Sequence, residues 1–404
     1  MKLAIDLSPL KNRNYRLLFI GQLVSYIGTM ITRVALPYQI YELTKSILMV
    51  GLVSLAQLLP LLFTALLGGA LADRHHRRQL LIITEILLAL GCLLLMFNAQ
   101  FVHPQIWLIF IISSLLSAIT GLHRPALEGI TQQIVHKDDF VAVGVLSTFK
   151  FSVVSIAGPA MAGLILAHFG LSVTYFIDFL SYVISLAALL MMSHIPKPVL
   201  VAAESMWSSL KDGLRFAGSR QELLGSYFVD FLAMIFGMPQ ALFPAIAQSF
   251  GGAKALGLLY AAPAAGSLVL VFFTGWCKSV KRHGVAIAIA AIMWGVAIIG
   301  FGLSTNLWWA LLFLAFAGAF DGISGIFRST LWNESIPTHY RGRLAGIEMI
   351  SYLSGPKLGD TESGLVAAAL GITFSVVSGG VLCIVGVGLC CVFMPKFWKY
   401  RSTI

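Results

Sequence analysis

The chain has 404 residues, 58% hydrophobic and only 11% charged, with a mean hydropathy of +0.89; that is more apolar surface than a water-soluble core needs. This excludes a soluble enzyme and points to an all-α protein that crosses a bilayer many times. The net charge of +10 does not point to nucleic acid, because Lys and Arg fall in short segments between apolar runs, as topology signals do.

Met1 to Arg16 is polar and basic, and the first apolar run is long enough to remain as a helix, so no cleavable signal peptide is expected. Twelve apolar segments follow, at 16–41, 46–72, 79–100, 105–130, 141–168, 171–194, 222–249, 254–278, 284–304, 306–330, 344–370 and 373–395. With the N-terminus in the cytoplasm, the inside segments carry twenty of the 27 Lys and Arg residues and the outside loops only Lys45 and Lys254. The other five, Arg33, Arg124, Lys150, Arg328 and Lys357, fall within helices. That asymmetry puts both termini inside, in the cytoplasmic membrane.

Between the second and third segments lies Gly69–Arg78, GALADRHHRR, a hydrophilic knot between long apolar runs. The run from Ile47 to Ala72 has no charge, and the run from Gln79 to Phe101 has only Glu85. A glycine there lets helices approach closely, and Asp73 can accept hydrogen bonds from Arg74, Arg77, Arg78 or a helix N-terminus. The plainer reading is a basic loop that only fixes topology.

Pro196 to Gln221 is the longest polar stretch, and within it Met206, Trp207, Leu210, Leu214 and Phe216 have the spacing of a short amphipathic helix on the inner membrane surface. The chain therefore divides into 1–195, a linker at 196–221, and 222–404. The halves look like copies: Arg33–Pro37 aligns with Gln240–Pro244, Gly69 with Gly275, His123-Arg124 with Phe327-Arg328, and Gly158-Pro159 with Gly355-Pro356, at offsets of 207, 206, 204 and 197 residues. The second knot, Gly275 to Arg282, lacks the aspartate.

A charge inside a bilayer costs several kcal/mol unless it meets a partner or a cavity, so intramembrane charges mark candidate sites. Arg33 lies in the first segment, Arg124 and Glu128 one turn apart in the fourth, Asp230 in the seventh, and Asp321 two turns before Arg328 in the tenth. Arg33, Asp230 and Asp321 are the candidate functional trio, against the alternative that such charges only pair to fix helix packing. Arg124, Glu128 and Arg328 are expected to pair with the Asp73 loop. Glu85, Asp178, Lys150 and Glu348 form a second tier with Lys357, Asp360 and Glu362, and the last three fall late in the eleventh segment, where they meet water at the outer face. Gly158, Pro159 and Gly163 supply small residues for close helix contact.

The five cysteines, Cys92, Cys277, Cys383, Cys390 and Cys391, all fall in predicted helices without metal-ligand spacing. His75 and His76 are adjacent and share no helix face, so no metal and no cofactor is expected. There is no Walker loop for ATP-driven transport.

The knot's Gly69-x-x-x-Asp73-Arg74-x-x-Arg77-Arg78 resembles the loop between helices two and three of the major facilitator superfamily, where it latches one closed state. The superfamily's fold is twelve helices in two six-helix pseudo-repeats, its central cavity lined by helices one, four, seven and ten, which hold the charged candidates. Gly158-Pro159-x-x-Ala162-Gly163 resembles part of the antiporter signature, although Val154 stands where its first glycine belongs. RVALPYQIYELT, LLGGALADRHHRR, LHRPALEGI, GMPQALFPA and FGGAKALGLLYAAPAAG are further similar to the branch of siderophore (enterobactin) and macrolide exporters. The resemblance implies a proton-coupled secondary exporter of a small molecule, a siderophore foremost, acting by alternating access with cargo, protons and lipid as its partners and as a monomer. A multidrug or macrolide antiporter and a lysophospholipid flippase are the alternative cargo readings, and a non-transporting membrane receptor is the alternative of another class.

Overall fold

The computed structural model describes residues 6–193, 206–337 and 340–402; side chains at 69–70, 72–74, 206–210, 341–343, 345–347 and 349–350 fall outside the description. The long helices are α1 (Arg13–Thr44), α2 (Ile47–Arg74), α3 (Arg77–Gln100), α4 (Ile106–Ile134) and α5 (Phe140–Leu190). After α6 (Met206–Ser219) come α7 (Gln221–Phe236), α8 (Phe243–Phe250), α9 (Ala253–Val271), α10 (His283–Gly302), α11 (Leu307–Ser335), α12 (Arg341–Leu370), α13 (Ile372–Phe393) and α14 (Pro395–Trp398). No strand occurs among the described residues. In hydrocarbon each backbone polar group must be satisfied within its own segment, and the apolar runs meet that demand as helices.

Ten helical segments of the described residues are long and apolar enough to cross a membrane. The count differs from the twelve expected for two reasons. Segments five and six run together as α5, with a kink at Gly170, whose φ of 74° is cheap only for glycine. The eleventh segment forms α12, long enough to span but too polar to count among the ten. The eighth segment also stops early: α9 ends at Val271, and Cys277 lies in a 3-10 turn, Thr274–Ser279, outside the long helices.

Side-chain placement is that of a protein in lipid. On α3, Ile83, Leu87, Leu90, Leu94 and Phe97 are exposed, while Thr84, Glu85, Leu88, Cys92 and Leu95 are buried. The polar face turns inward and the apolar face outward, the reverse of a soluble helix. Asn12 caps α1 by accepting from the N–H groups of Asn14 (2.9 Å) and Tyr15 (3.3 Å), and Lys45 ends it in the left-handed region.

Two compact units make up the chain: Met1–Lys45 with Ala56–Val201 and Gly252–Gly257, and Ser46–Leu55 with Ala202–Gly251 and Leu258–Ile404. In the first, α1 lies along both arms of α5. A Cβ on Gly21 would meet Ala188 at 3.0 Å, and one on Gly158 would fall on Met30, so glycines set these close approaches. Gly163 lies equally close to Ala253 and Gly257.

In the second unit the seventh segment is broken between α7 and α8, and three side chains satisfy the freed backbone. Trp294 Nε1 donates to the Gly237 carbonyl (3.0 Å), Tyr260 to that of Gln240 (3.2 Å), and Asp360 accepts from the Ala241 N–H (2.9 Å). Asp360 also accepts from Ser54 (2.9 Å) and is not the water-facing group expected, because an irregular backbone at membrane depth needs a partner and Asp360 provides one.

Candidate functional site

Two clusters of ionisable groups form inside the helices, one in each unit. In the second unit Arg328 of α11 stands between two carboxyls. Its Nη1 donates to Asp230 Oδ1 of α7, and its Nη2 lies 3.6 Å from Asp321 Oδ1, two turns earlier on α11. The side chains of Arg328 and Asp230 are 11% and 8% exposed, whereas that of Asp321 is 44% exposed. One guanidinium therefore faces two carboxyls: Asp230 is tightly paired, and Asp321 is only loosely engaged and open on one side. Glu348 of α12 also acts on Arg328 through its charge, so carboxyls outnumber cations here and each bound proton lowers the excess negative charge.

Aromatic groups flank this cluster. Tyr227, one turn before Asp230, packs against Trp332, one turn after Arg328, with ring centroids 5.2 Å apart. Trp332 Nε1 donates to Ser226 Oγ (2.8 Å), which fixes the indole. Charge and aromatic surface thus adjoin within one unit.

The first unit holds Glu85 and Asp178, both fully buried. Glu85 Oε1 accepts from Gln22 of α1 (2.7 Å) and from Ser185 of α5 (2.8 Å), with His123 Nε2 of α4 at 3.8 Å. Asp178 accepts from Thr32, from the Cys92 thiol (3.2 Å) and from Ser181 (3.2 Å). Neither acid forms an ion pair with a lysine or arginine among the described residues.

Of the sequence candidates, the structure brings Asp230 and Asp321 together through Arg328. Arg33 is exposed and belongs to the first unit. Arg328 was expected at the Asp73 loop and is engaged elsewhere, because its guanidinium is committed to the two aspartates. Arg124 and Glu128 pair along one face of α4 at 3.3 Å, both exposed. Arg77 donates to the Gly129 carbonyl (2.9 Å) of α4, and Arg78 to those of Leu189 (3.1 Å) and Leu190 (2.9 Å) at the end of α5. The side chains of Gly69, Asp73 and Arg74 lie outside the described residues. Gly158 and Gly163 serve close packing, with Pro159 buried between them.

Glu85 and Asp178, second-tier candidates in the sequence, are both fully buried. For Glu85 the signal was present: it is the sole charge in an otherwise apolar segment, and that isolation implies a buried network.

The model of the family described as transmembrane secretion effector matches residues 4–401. Similar curated proteins include the enterobactin exporters of Shigella boydii serotype 18 (27% identical, covering 99% of this chain and 96% of the relative) and Salmonella typhi (25%, 99% and 97%). Among solved structures, a POT family transporter in complex with 5-aminolevulinic acid is similar with a TM-score of 0.76 at 12% identity, covering 95% of this chain and 96% of that one. An inward-facing bacterial homologue of the human lysosomal transporter Spinster gives 0.74 at 16%, covering 97% and 99%.

Proposed function

Because the chain belongs to the transmembrane secretion effector family of the major facilitator superfamily, and is thus a membrane transporter, we propose that it exports a small aromatic molecule, a siderophore foremost, in exchange for protons. The observation that carries this reading is Arg328 held between Asp230 and Asp321 beside the Tyr227–Trp332 pair. Asp321, the more exposed and more loosely held acid, takes the proton from outside, and Asp230 keeps Arg328 in place. Loss of the excess charge lowers the cost of the return to the inward-facing state, so proton binding biases one step of an alternating-access cycle. Stacking on Tyr227 and Trp332 supplies affinity for an aromatic cargo.

The proposal includes twelve spans with both termini in the cytoplasm, a monomer as the working form, and the Gly69–Arg78 loop as a latch with Arg77 and Arg78 as its anchors. Siderophore is favoured over an uncharged amphipathic drug by the enterobactin-exporting relatives.

The test is flux. Inverted vesicles containing the chain should take up siderophore when a pH gradient, acid inside, is imposed, and Asp321→Asn should abolish the gradient dependence. A wild-type flux indifferent to the gradient, or an Asp321→Asn variant coupled as before, would overturn the reading. Strains without the gene should lose siderophore secretion and keep drug resistance; the opposite pattern assigns the drug cargo instead.

A further inference from the structure

We propose that Glu85 and His123 hold one proton between them and act as an acid–base pair that carries protons in the first unit, next to the cavity lined by Gln22. The inference rests on the proton exchange proposed above, but it concerns residues of the other unit rather than Asp230 and Asp321.

Thr84 fixes the histidine. Its hydroxyl lies 2.9 Å from the Leu80 carbonyl and 3.0 Å from that of Leu81, the usual acceptors for a helical threonine. With its one O–H so used, Thr84 Oγ1 accepts the Nδ1–H of His123 at 2.9 Å. That hydrogen-bond pattern assigns the tautomer, and Nε2 then turns a bare lone pair toward Glu85 Oε1, 3.8 Å away.

An ionised carboxylate also offers only lone pairs. Two acceptors facing each other are satisfied by a proton between them. Either the carboxyl carries it, facing a neutral Nε2 across 3.8 Å, or an imidazolium faces the carboxylate. The two forms differ by transfer of that proton from oxygen to nitrogen, with no other bond made or broken.

The rest of the Glu85 environment agrees. Gln22 and Ser185 both donate to Oε1, while Oε2 is buried and receives no hydrogen bond. A negative charge is therefore served at one oxygen only, and a proton shared with His123 reduces the charge that the other must carry unserved.

The groups facing Glu85 are Gln22 from α1, His123 from α4, and Ser185, Tyr182 and Asp178 from α5; none is a lysine or arginine. Asp178 differs in having three donors of its own. Access comes from a cavity of about 410 Å³ in the first unit, whose lining includes Gln22, Tyr15, Glu128 and Lys150. Gln22 lines this cavity and bonds to Glu85, so a rotation of its amide opens the acid to it.

The experiment is infrared difference spectroscopy of the full chain in lipid, without cargo, as pH is varied. A protonated-carboxyl band should titrate, be lost in Glu85→Gln, and change its pH midpoint in His123→Gln and in Thr84→Val. Asp178→Asn should leave that band in place. If Glu85→Gln does not fold, carbon-13 labelling of glutamate carboxyls in the wild type and the other two variants assigns the band. A band untouched by Glu85→Gln, or a midpoint equal in wild type, His123→Gln and Thr84→Val, overturns the pair. In vesicles, Glu85→Gln should lose the acceleration of flux by a pH gradient; unchanged acceleration also overturns it. A wild type that shows the titrating band but no gradient-driven flux refutes the exporter coupling and leaves the proton pair standing.

Discussion

Arg328→Met is expected to destabilise the second unit by about 3–5 kcal/mol, because it leaves two carboxyls facing each other without the cation that joins them. The magnitude follows from burial: Arg328 and Asp230 are 11% and 8% exposed, so water screens little of the loss. Unfolding in detergent by heat or denaturant, followed by tryptophan fluorescence, measures it. Arg328→Lys should fall between wild type and Arg328→Met, since it keeps the charge and loses the fork that reaches both acids. The triple variant Asp230→Asn, Asp321→Asn, Arg328→Gln removes these three charges and should recover most of the stability. If Arg328→Met unfolds with the wild type, the cluster is not the buried junction described.

The second large effect is expected at Gly318. A Cβ there falls on the backbone of Pro263, and a Cβ on Gly266 falls on the Ala315 carbonyl, so α9 and α11 touch main chain to main chain. A flexible side chain can move aside, but a carbonyl in a helix cannot. Gly318→Leu should therefore cost at least the roughly 1–3 kcal/mol of a typical overpacked core and reduce the folded protein recovered from membranes. A Cβ on Gly388 would meet nothing within 4 Å, and Gly388→Ala should be neutral or slightly stabilising, as expected within a helix. Equal recovery of Gly318→Leu and Gly388→Ala would refute the close contact.

Much of the fold was legible because membrane insertion imposes a simple code. Length and apolarity define spans, and basic loops define sides, so α1, α3, α4, α10, α11 and α13 all appear where hydropathy puts them. What hydropathy missed has local causes. The kink at Gly170 leaves no polar gap between segments five and six, and the break at Gly237 to Pro239 lies inside a uniformly apolar run whose exposed backbone is satisfied by distant side chains.

The candidate site was legible as a set of expensive residues but not as a set of partners. Asp230, Asp321 and Glu85 each stand out as charges in apolar surroundings, yet Arg328 was assigned to the wrong neighbour. The partners are far apart in the chain, Asp230 and Arg328 being separated by 98 positions and Gln22 and Glu85 by 63.

The sequence by itself determined the class of protein, its helices, and the few ionisable groups that hydrocarbon does not tolerate alone, since each follows from transfer energies summed along a local stretch. Only the tertiary structure decided which acid meets Arg328 and which faces a histidine. Helical period assigns a side chain to a face, but small residues elsewhere in the chain set how closely helices approach and in what register, and that register chooses the partner.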